Sequence, residues 1–524
     1  MDRRREPARA DGLRAAVDGG VRAVHRGHGR LLVAGGLGLP CAAVRERSGP
    51  PRGGGFALME ERDPDPVIAQ PAPSDGAEGE SGLNDGLARF LGVLRHRHYR
   101  ALWCGAAVSS FGSWMEAVGV QWLVAEQTGS TMMMGWLATA QMGPTLVLGV
   151  VGGLAADRYD RRALLLASQA VLMAVAGALT LCAWFGVATP GVMMGLMLLH
   201  GIASAFAIPA WQTLTPNLVP REELSRAIAL NSMQFNLARV AGPAAAGVLL
   251  ATHGAAAVFL VNTLTFVGAM AGVMAIPPVP PQREERSESA WMRVRRAFGW
   301  VFANVGPRRV FWGLLLLSVL AGPLLRMLPL FVSEVFHRAE PAFGLLLSLM
   351  GVGAVAGVIG MKFIPRWYPL HHQVPLSIAL CGGLITGFAL APSMAWAGSL
   401  IAGVGVVWVW SFSASITAMQ LLVHDSMRGR VMSVINTAVI GAMPFGSLLA
   451  SAVGDPVAAA LGRGVDLSAR VGVGALALVL AGAGVVMLVW RTPEIDGLGP
   501  GEPGYERRPG LWRGITGSGH RVVR

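Results

Sequence analysis

The sequence predicts an all-α polytopic membrane protein, with twelve transmembrane helices arranged as two pseudo-symmetric six-helix bundles. Three observations carry that expectation. Of 524 residues, 53% are hydrophobic and 14% charged, too apolar for a soluble protein of this size and too poor in charge for a disordered one. From Leu91 onward, apolar stretches of about twenty residues, the length that crosses a bilayer's hydrocarbon core, alternate with short polar loops. The two halves of this region also match each other. A shift of 204 residues puts Arg226 on Arg430 and Gly242 on Gly446, and one of 209 puts Trp103 on Trp312 and Gly135 on Gly344, as a duplicated helical unit would.

Residues 1–90 are rich in Arg, Gly, Pro, Asp and Glu without helical or strand periodicity, and a disordered cytoplasmic extension is expected there. Met59 is an alternative start of translation. The apolar patch from Leu31 to Ala43 resembles the middle of a signal peptide, but it is glycine-rich and the later topology does not need it. The first bundle is expected over 91–276. A basic flank, Arg95 to Arg100, precedes a span from Ala101 to Val124, and further spans follow at 132–156, 163–186, 191–213, 227–251 and 255–276. The second bundle, 310–490, holds spans at 310–332, 342–364, 374–391, 396–421, 431–453 and 471–490. Glycine and proline inside spans are tolerated where helices pack together.

The linker 277–309 opens on Pro277, Pro278, Pro280 and Pro281, which stop the sixth span. Trp291, Val294, Phe298 and Val301 then recur at helical spacing, with Arg293, Arg295 and Arg296 elsewhere on the wheel. Two readings stay open: an amphipathic helix on the cytoplasmic membrane surface, or a basic linker whose aromatics pack on the spans. A cytoplasmic tail is expected over 491–524.

Charge fixes the expected orientation. Lys and Arg concentrate in residues 89–100, the even-numbered loops and the tail, while the odd-numbered loops hold only Arg338, Arg463 and Arg470. Cytoplasmic loops carry such an excess, so both termini are expected inside and the number of spans even. The net charge of +12 is spread between apolar blocks, so no nucleic-acid partner is expected. Cys41, Cys104, Cys182 and Cys381 lack pairing or metal-ligand spacing, and His371–His372 has no further ligands nearby in sequence. No metal or cofactor is expected.

The stretch Gly152 to Arg162 reads GGLAADRYDRR between two spans. It resembles the signature loop of the major facilitator superfamily of secondary transporters, with Gly153, Asp157, Arg158, Arg161 and Arg162 at its marked positions. Asp160 stands where that superfamily usually has glycine, a departure associated with its drug- and siderophore-exporter branch. The second half keeps a worn copy, Gly357, Gly360, Lys362 and Arg366, with no matching acid. The resemblance covers about 90–490. It implies alternating access between two bundles, and a latch in which Asp157 pairs with Arg161 and caps the eleventh span near Arg430 and Val431.

In the fifth span Asn236, Arg239, Gly242, Pro243 and Gly247 spell N-x-x-R-x-x-G-P-x-x-x-G. This is similar to the antiporter motif of the superfamily's exporters, and its glycines and proline suit a flexing seam as well as static packing.

Ionised groups inside a membrane cost about 2.5–3.5 kcal/mol each on insertion scales and mark pathways or pairs. Three stand out within spans: Glu116, Arg239 and Arg326. The shift of 209 sets Glu116 on Leu325, beside Arg326. In the resembled fold the first and seventh spans face each other, so Glu116 and Arg326 are expected to flank the transport path as a breakable pair, with Glu116 carrying a coupling proton. A permanent structural bridge is the alternative. Gln121, Gln141, His200, Asn262, Gln420 and Asn436 read as interhelical hydrogen bonds.

No G-x-x-x-x-G-K-S/T loop or reactive cluster occurs, so neither ATP hydrolysis nor another enzymatic activity is expected. The expected function is a proton-coupled antiporter, monomeric in the cell membrane, exporting small drug-like or siderophore-like molecules. A metabolite importer or facilitator is the alternative within transport, and a non-transporting scaffold or sensor the one outside it.

Overall fold

The computed structural model describes residues 91–279, 290–364, 368–489 and 492–498. The expectations for residues 1–90, for 280–289, for Arg366 and for the tail beyond 498 lie outside these residues, as do the side chains of Trp291, Arg293 and Arg430. The described residues are helical almost throughout, and no strand occurs among them.

The helices are α1 (Arg97–Thr128), α2 (Thr131–Arg158), α3 (Arg161–Trp184), α4 (Pro190–Leu218), α5 (Leu224–Met274), α6 (Ala290–Ala303), α7 (Val305–Leu330), α8 (Glu340–Gly360), α9 (Leu370–Ala389), α10 (Met394–Leu422), α11 (Asp425–Ala460) and α12 (Val465–Val489). Short loops suffice because their residues end and start helices. Gly129 closes α1 in the left-handed conformation at φ 50, and the Ser130 side chain accepts from Met133 N to start α2. Thr189 does the same for α4, with Pro190 at the first helical position.

Helix α5 has 51 residues, roughly 75 Å at 1.5 Å per residue, more than twice the hydrocarbon thickness of about 30 Å. It breaks at Gly254, whose φ of 77 favours glycine. Its contacts with α1 show that the two legs run in opposite directions. In the first leg, Tyr99 bonds Ala227, Ser110 bonds Gln234 and Trp114 meets Gly242, a parallel order. In the second, Ala101 meets Gly272, Gly105 meets Ala269 and Gly119 meets Phe259, an antiparallel one.

Ten helical stretches among the described residues are long and apolar enough to cross a membrane. The 54-residue stretch containing α5 counts once, and α1, with Ser109, Ser110, Ser113, Glu116 and Gln121 in its middle, falls outside the ten. Large apolar side chains such as Val147, Leu181, Leu264 and Leu478 face outward, an exposure that water penalises and lipid does not.

Helices α1–α5 form one half and α7–α12 the other, and the halves meet along α2–α11 and α5–α8. The internal repeat is visible in this packing. A Cβ added to Gly242 would fall 2.7 Å from Trp114 Cβ, and one added to Gly446 would fall 3.2 Å from Pro323 Cδ. Gly446 is the repeat partner of Gly242, and Pro323 that of Trp114 under the 209 shift. Likewise Gly135 packs on Leu448 of α11, and its partner Gly344 packs on Pro243 of α5. Glycine at these four positions lets backbones approach as small residues do at membrane helix crossings.

Helix α6 buries Ala297 and Val301, and Phe298 packs on Phe302 and Phe311. Its aromatic face therefore rests on α7. The turn Pro493–Asp496 seats Ile495 in the same apolar cluster, beside Val310, Met419 and Val431. Glu494 and Asp496 form ion pairs with Arg309 and His371 respectively.

Candidate functional site

The loop between α2 and α3 is held by its charged residues in distinct ways. Asp160 Oδ1 accepts from Ala163 N at 3.0 Å and so caps α3. That is a physical use for aspartate where the resembled signature has glycine. Arg162 donates to the Val273 and Met274 carbonyls at 3.3 and 2.8 Å, a cation at the C-terminal end of α5, where the helix dipole favours it. Arg161 is buried and donates to the Ala156 carbonyl at 3.4 Å. Asp157 is half-buried at the end of α2, Arg158 is exposed, and Val431 is buried. A Cβ on Gly153 would meet nothing within 4 Å, whereas one on Gly152 would fall 2.0 Å from the Ala205 carbonyl oxygen. The glycine that packing requires in this loop is Gly152.

In α5, Gly242 and Gly247 lie on different contacts. Gly242 packs on Phe111 and Trp114 of α1, and Gly247 packs on Glu340, Pro341 and Gly344 of α8. Asn236 bonds the Ser232 carbonyl of its own helix at 2.8 Å. Arg239 falls on the arc of α5 between the α1 side and the α8 side, given 100° per residue. Its Nη2 is buried and finds no acceptor among the described residues.

Glu116 is 2% exposed. Its Oε2 accepts from Asn262 Nδ2 at 2.5 Å, and its Oε1 lies 3.4 Å from His200 Nδ1. The imidazole itself is 18% exposed, so the carboxylate is enclosed while its neighbour reaches the surface of the bundle. Arg326 donates to Gln141 Oε1 at 3.0 Å and to Met142 Sδ at 2.9 Å. The expected Glu116–Arg326 ion pair is therefore not the arrangement found. Nearer neighbours on α2, α4 and α5 serve each group. The repeat fixes the depth of a residue in the membrane, but not the direction in which it points around its helix.

The two groups are nonetheless linked. A Cβ on Gly201, next to His200, would fall 2.4 Å from the Gln141 carbonyl oxygen. Contacts thus run from Glu116 to His200, across Gly201 to Gln141, and on to Arg326. Gln141, His200 and Asn262 join helices as expected of polar residues within spans, whereas Gln121 Nε2 bonds the Ala117 carbonyl of its own helix.

The chain matches the family model described as "Transmembrane secretion effector", a major facilitator family, over residues 89–498. It belongs to this family. The staphyloferrin A transporter of Staphylococcus aureus (strain NCTC 8325 / PS 47) is 25% identical over 66% of this chain and 86% of its own length. The enterobactin exporter EntS of Citrobacter koseri (strain ATCC BAA-895 / CDC 4225-83 / SGSC4696) is 25% identical over 75% and 94%. Among solved structures, a bacterial homologue of the human lysosomal transporter Spinster, inward-facing and unoccupied, covers 75% of this chain and 95% of that one. Its TM-score is 0.57 at 16% identity, a likeness of fold.

This major facilitator chain is a multi-pass membrane transporter with efflux proteins among its relatives. A further contact joins its halves. Asp455 Oδ1 on α11 accepts from Thr131 Oγ1 on α2 at 2.6 Å and also from Ser468 Oγ on α12. Neither Thr131 nor Asp455 carries a sequence signal for this role, since the two are 324 residues apart. Among the described residues no group of three or more His, Cys, Asp or Glu side chains could hold a metal ion.

Proposed function

We propose that the chain is a proton-coupled antiporter that exports small drug-like or siderophore-like molecules by alternating access. In this reading it has twelve spans, α5 supplying two and α1 one, with both termini in the cytoplasm, and it works as a monomer in the cell membrane. The observation that carries the reading is Glu116, an enclosed carboxylate whose ion partner is a partly accessible histidine.

The chemistry follows from burial. A carboxylate in a low-dielectric site is disfavoured when charged unless donors compensate. In this reading Glu116 carries the coupling proton, and movement of α4 against α1 changes the contact that His200 makes with it. Proton uptake and helix movement are then one event, as coupling requires. The seams α2–α11 and α5–α8, lined by glycines, are where the halves rock. The names of the relatives, a staphyloferrin A transporter and an enterobactin exporter, support the direction and the substrate class.

The test is accumulation of fluorescent drug-like dyes, and release of a siderophore, in cells with and without the gene. Export lowers dye accumulation and raises siderophore release. A protonophore abolishes both effects, and Glu116→Gln leaves residual transport indifferent to the pH gradient. Higher accumulation with the gene than without it would instead make the chain an importer.

A further inference from the structure

The membrane core of this chain holds more positive charge than it neutralises. Within the middle of the described spans Glu116 is the only acid, and it is occupied by Asn262 and His200. The other acids among the described residues lie at or near helix ends. Against this one carboxylate stand two guanidinium groups, Arg239 and Arg326. Arg326 is held by neutral acceptors, an amide oxygen and a thioether. Arg239 has a buried Nη2 that finds no acceptor among the described residues. Leaving a charged donor unpaired in a low-dielectric region is costly, and such donors are met in functional sites because a ligand completes them.

Their positions lie on opposite halves. Arg239 belongs to the first half and points into the angle where α5 meets both α1 and α8. Arg326 belongs to the second half, on α7, and reaches α2 across the boundary between halves. Around it, Gly322 and Pro323 of α7 pack against Met443 and Gly446 of α11. The internal repeat exchanges the first, fifth and eighth spans with the seventh, eleventh and second. The two arginines therefore occupy equivalent seams, one on each side of the divide.

We infer that Arg239 and Arg326 recognise an anionic substrate, one bearing carboxylates or comparable acidic groups, from opposite halves of the transporter. The guanidinium fork matches a carboxylate with two parallel hydrogen bonds. A ligand bridging both halves supplies the missing countercharge and senses their separation. This deepens the export reading and rests on it, while predicting preference for anions over the cations that many drug-like molecules are.

The experiment compares two xanthene dyes of similar shape and opposite charge, carboxyfluorescein and rhodamine 6G. Binding to the purified full chain is measured by fluorescence anisotropy, with empty micelles subtracted. The wild type is expected to bind the anion at least about tenfold more tightly than the cation. Arg239→Gln and Arg326→Gln should each erase most of that preference, and Arg239→Lys and Arg326→Lys should retain part of it. Monodispersity on size-exclusion chromatography confirms that each variant folds. Equal affinity for the two dyes, tighter binding of rhodamine 6G, or no saturable binding of the anion overturns the inference. Dye export from proteoliposomes distinguishes the two readings. Export of rhodamine 6G with no binding of carboxyfluorescein would sink the anion site and leave the exporter standing. Anion binding that follows the arginines, with no export of either dye, would do the reverse.

Discussion

His200 Nδ1 lies 3.4 Å from Glu116 Oε1, and the next residue, Gly201, packs against the backbone of Gln141, whose side chain holds Arg326. Helix α4 therefore touches Glu116 directly and is one residue, Gln141, removed from Arg326. The contacts of α4 with Glu116 and with the backbone of Gln141 come from adjacent residues.

Asn262→Leu removes the hydrogen-bond donor from an enclosed carboxylate. An unsatisfied buried acceptor costs about 1–3 kcal/mol, more when charged, so the variant should unfold at lower temperature in detergent near neutral pH. Thermal unfolding of the variant beside the wild type reads this directly, and an unchanged unfolding temperature would contradict it.

His200→Gln keeps a polar side chain of similar reach beside Glu116 but cannot carry a proton. The variant should fold like the wild type and transport with its coupling to the pH gradient weakened. Proton movement per molecule of dye exported from proteoliposomes is the measurement. Unaltered coupling would assign His200 a packing role alone.

Thr131→Val removes the hydroxyl that reaches Asp455 across the α2–α11 seam at 2.6 Å. Hydrogen bonds to charged groups are worth about 1.5–3 kcal/mol, enough to shift a two-state equilibrium by tenfold or more. Spin labels on α2 and α11 should report a second, longer distance in the variant. Thr139→Val is the control, since Thr139 Oγ1 bonds only the Gly135 carbonyl of its own helix.

Glycine replacements separate contact from composition. Gly446→Ala would bring a methyl within 1.8 Å of the Val319 carbonyl oxygen, whereas Gly143→Ala meets nothing closer than a Thr139 methyl at 3.6 Å. The first should cost transport and stability through forced separation of α7 and α11. The second should leave both unchanged. Transport rate and unfolding temperature of the two proteins decide the matter.

The end of the described chain offers a contrast of energies. Ile495 is fully buried where its turn meets α7, α9 and α10, and Ile495→Ala should cost about 2–5 kcal/mol. Arg309→Gln breaks a pair with Glu494 in which the arginine is 39% exposed, so its cost should stay within about 1 kcal/mol. Denaturation of the two variants in parallel tests the ranking.

Much of this architecture is legible in the sequence because a bilayer enforces it. Helical spans of about twenty residues follow from the expense of polar backbone in hydrocarbon and the glycine repeat from close helix packing, and Gly242 and Gly446 do pack on repeat-related positions. Azimuth is not legible. Glu116 and Arg326 sit at nearly matching positions of the repeat, yet one turns to α4 and α5 and the other to α2. No pattern of apolar residues could announce this, since nearly every face of these helices is apolar. The roles of Thr131, Asp455 and Gly152 are hidden for a related reason, each having its partner on another helix.

The central claim is that the halves separate along α2–α11 during each transport cycle. It is tested most directly by joining Thr131→Cys to Asp455→Cys with a short thiol cross-linker, in a chain otherwise free of cysteine, and measuring dye export from proteoliposomes. The account predicts that the cross-linked protein transports far less than the same double variant without cross-linker, and that cleaving a reducible linker restores the rate of that uncross-linked variant. Full-rate export from completely cross-linked protein would contradict it.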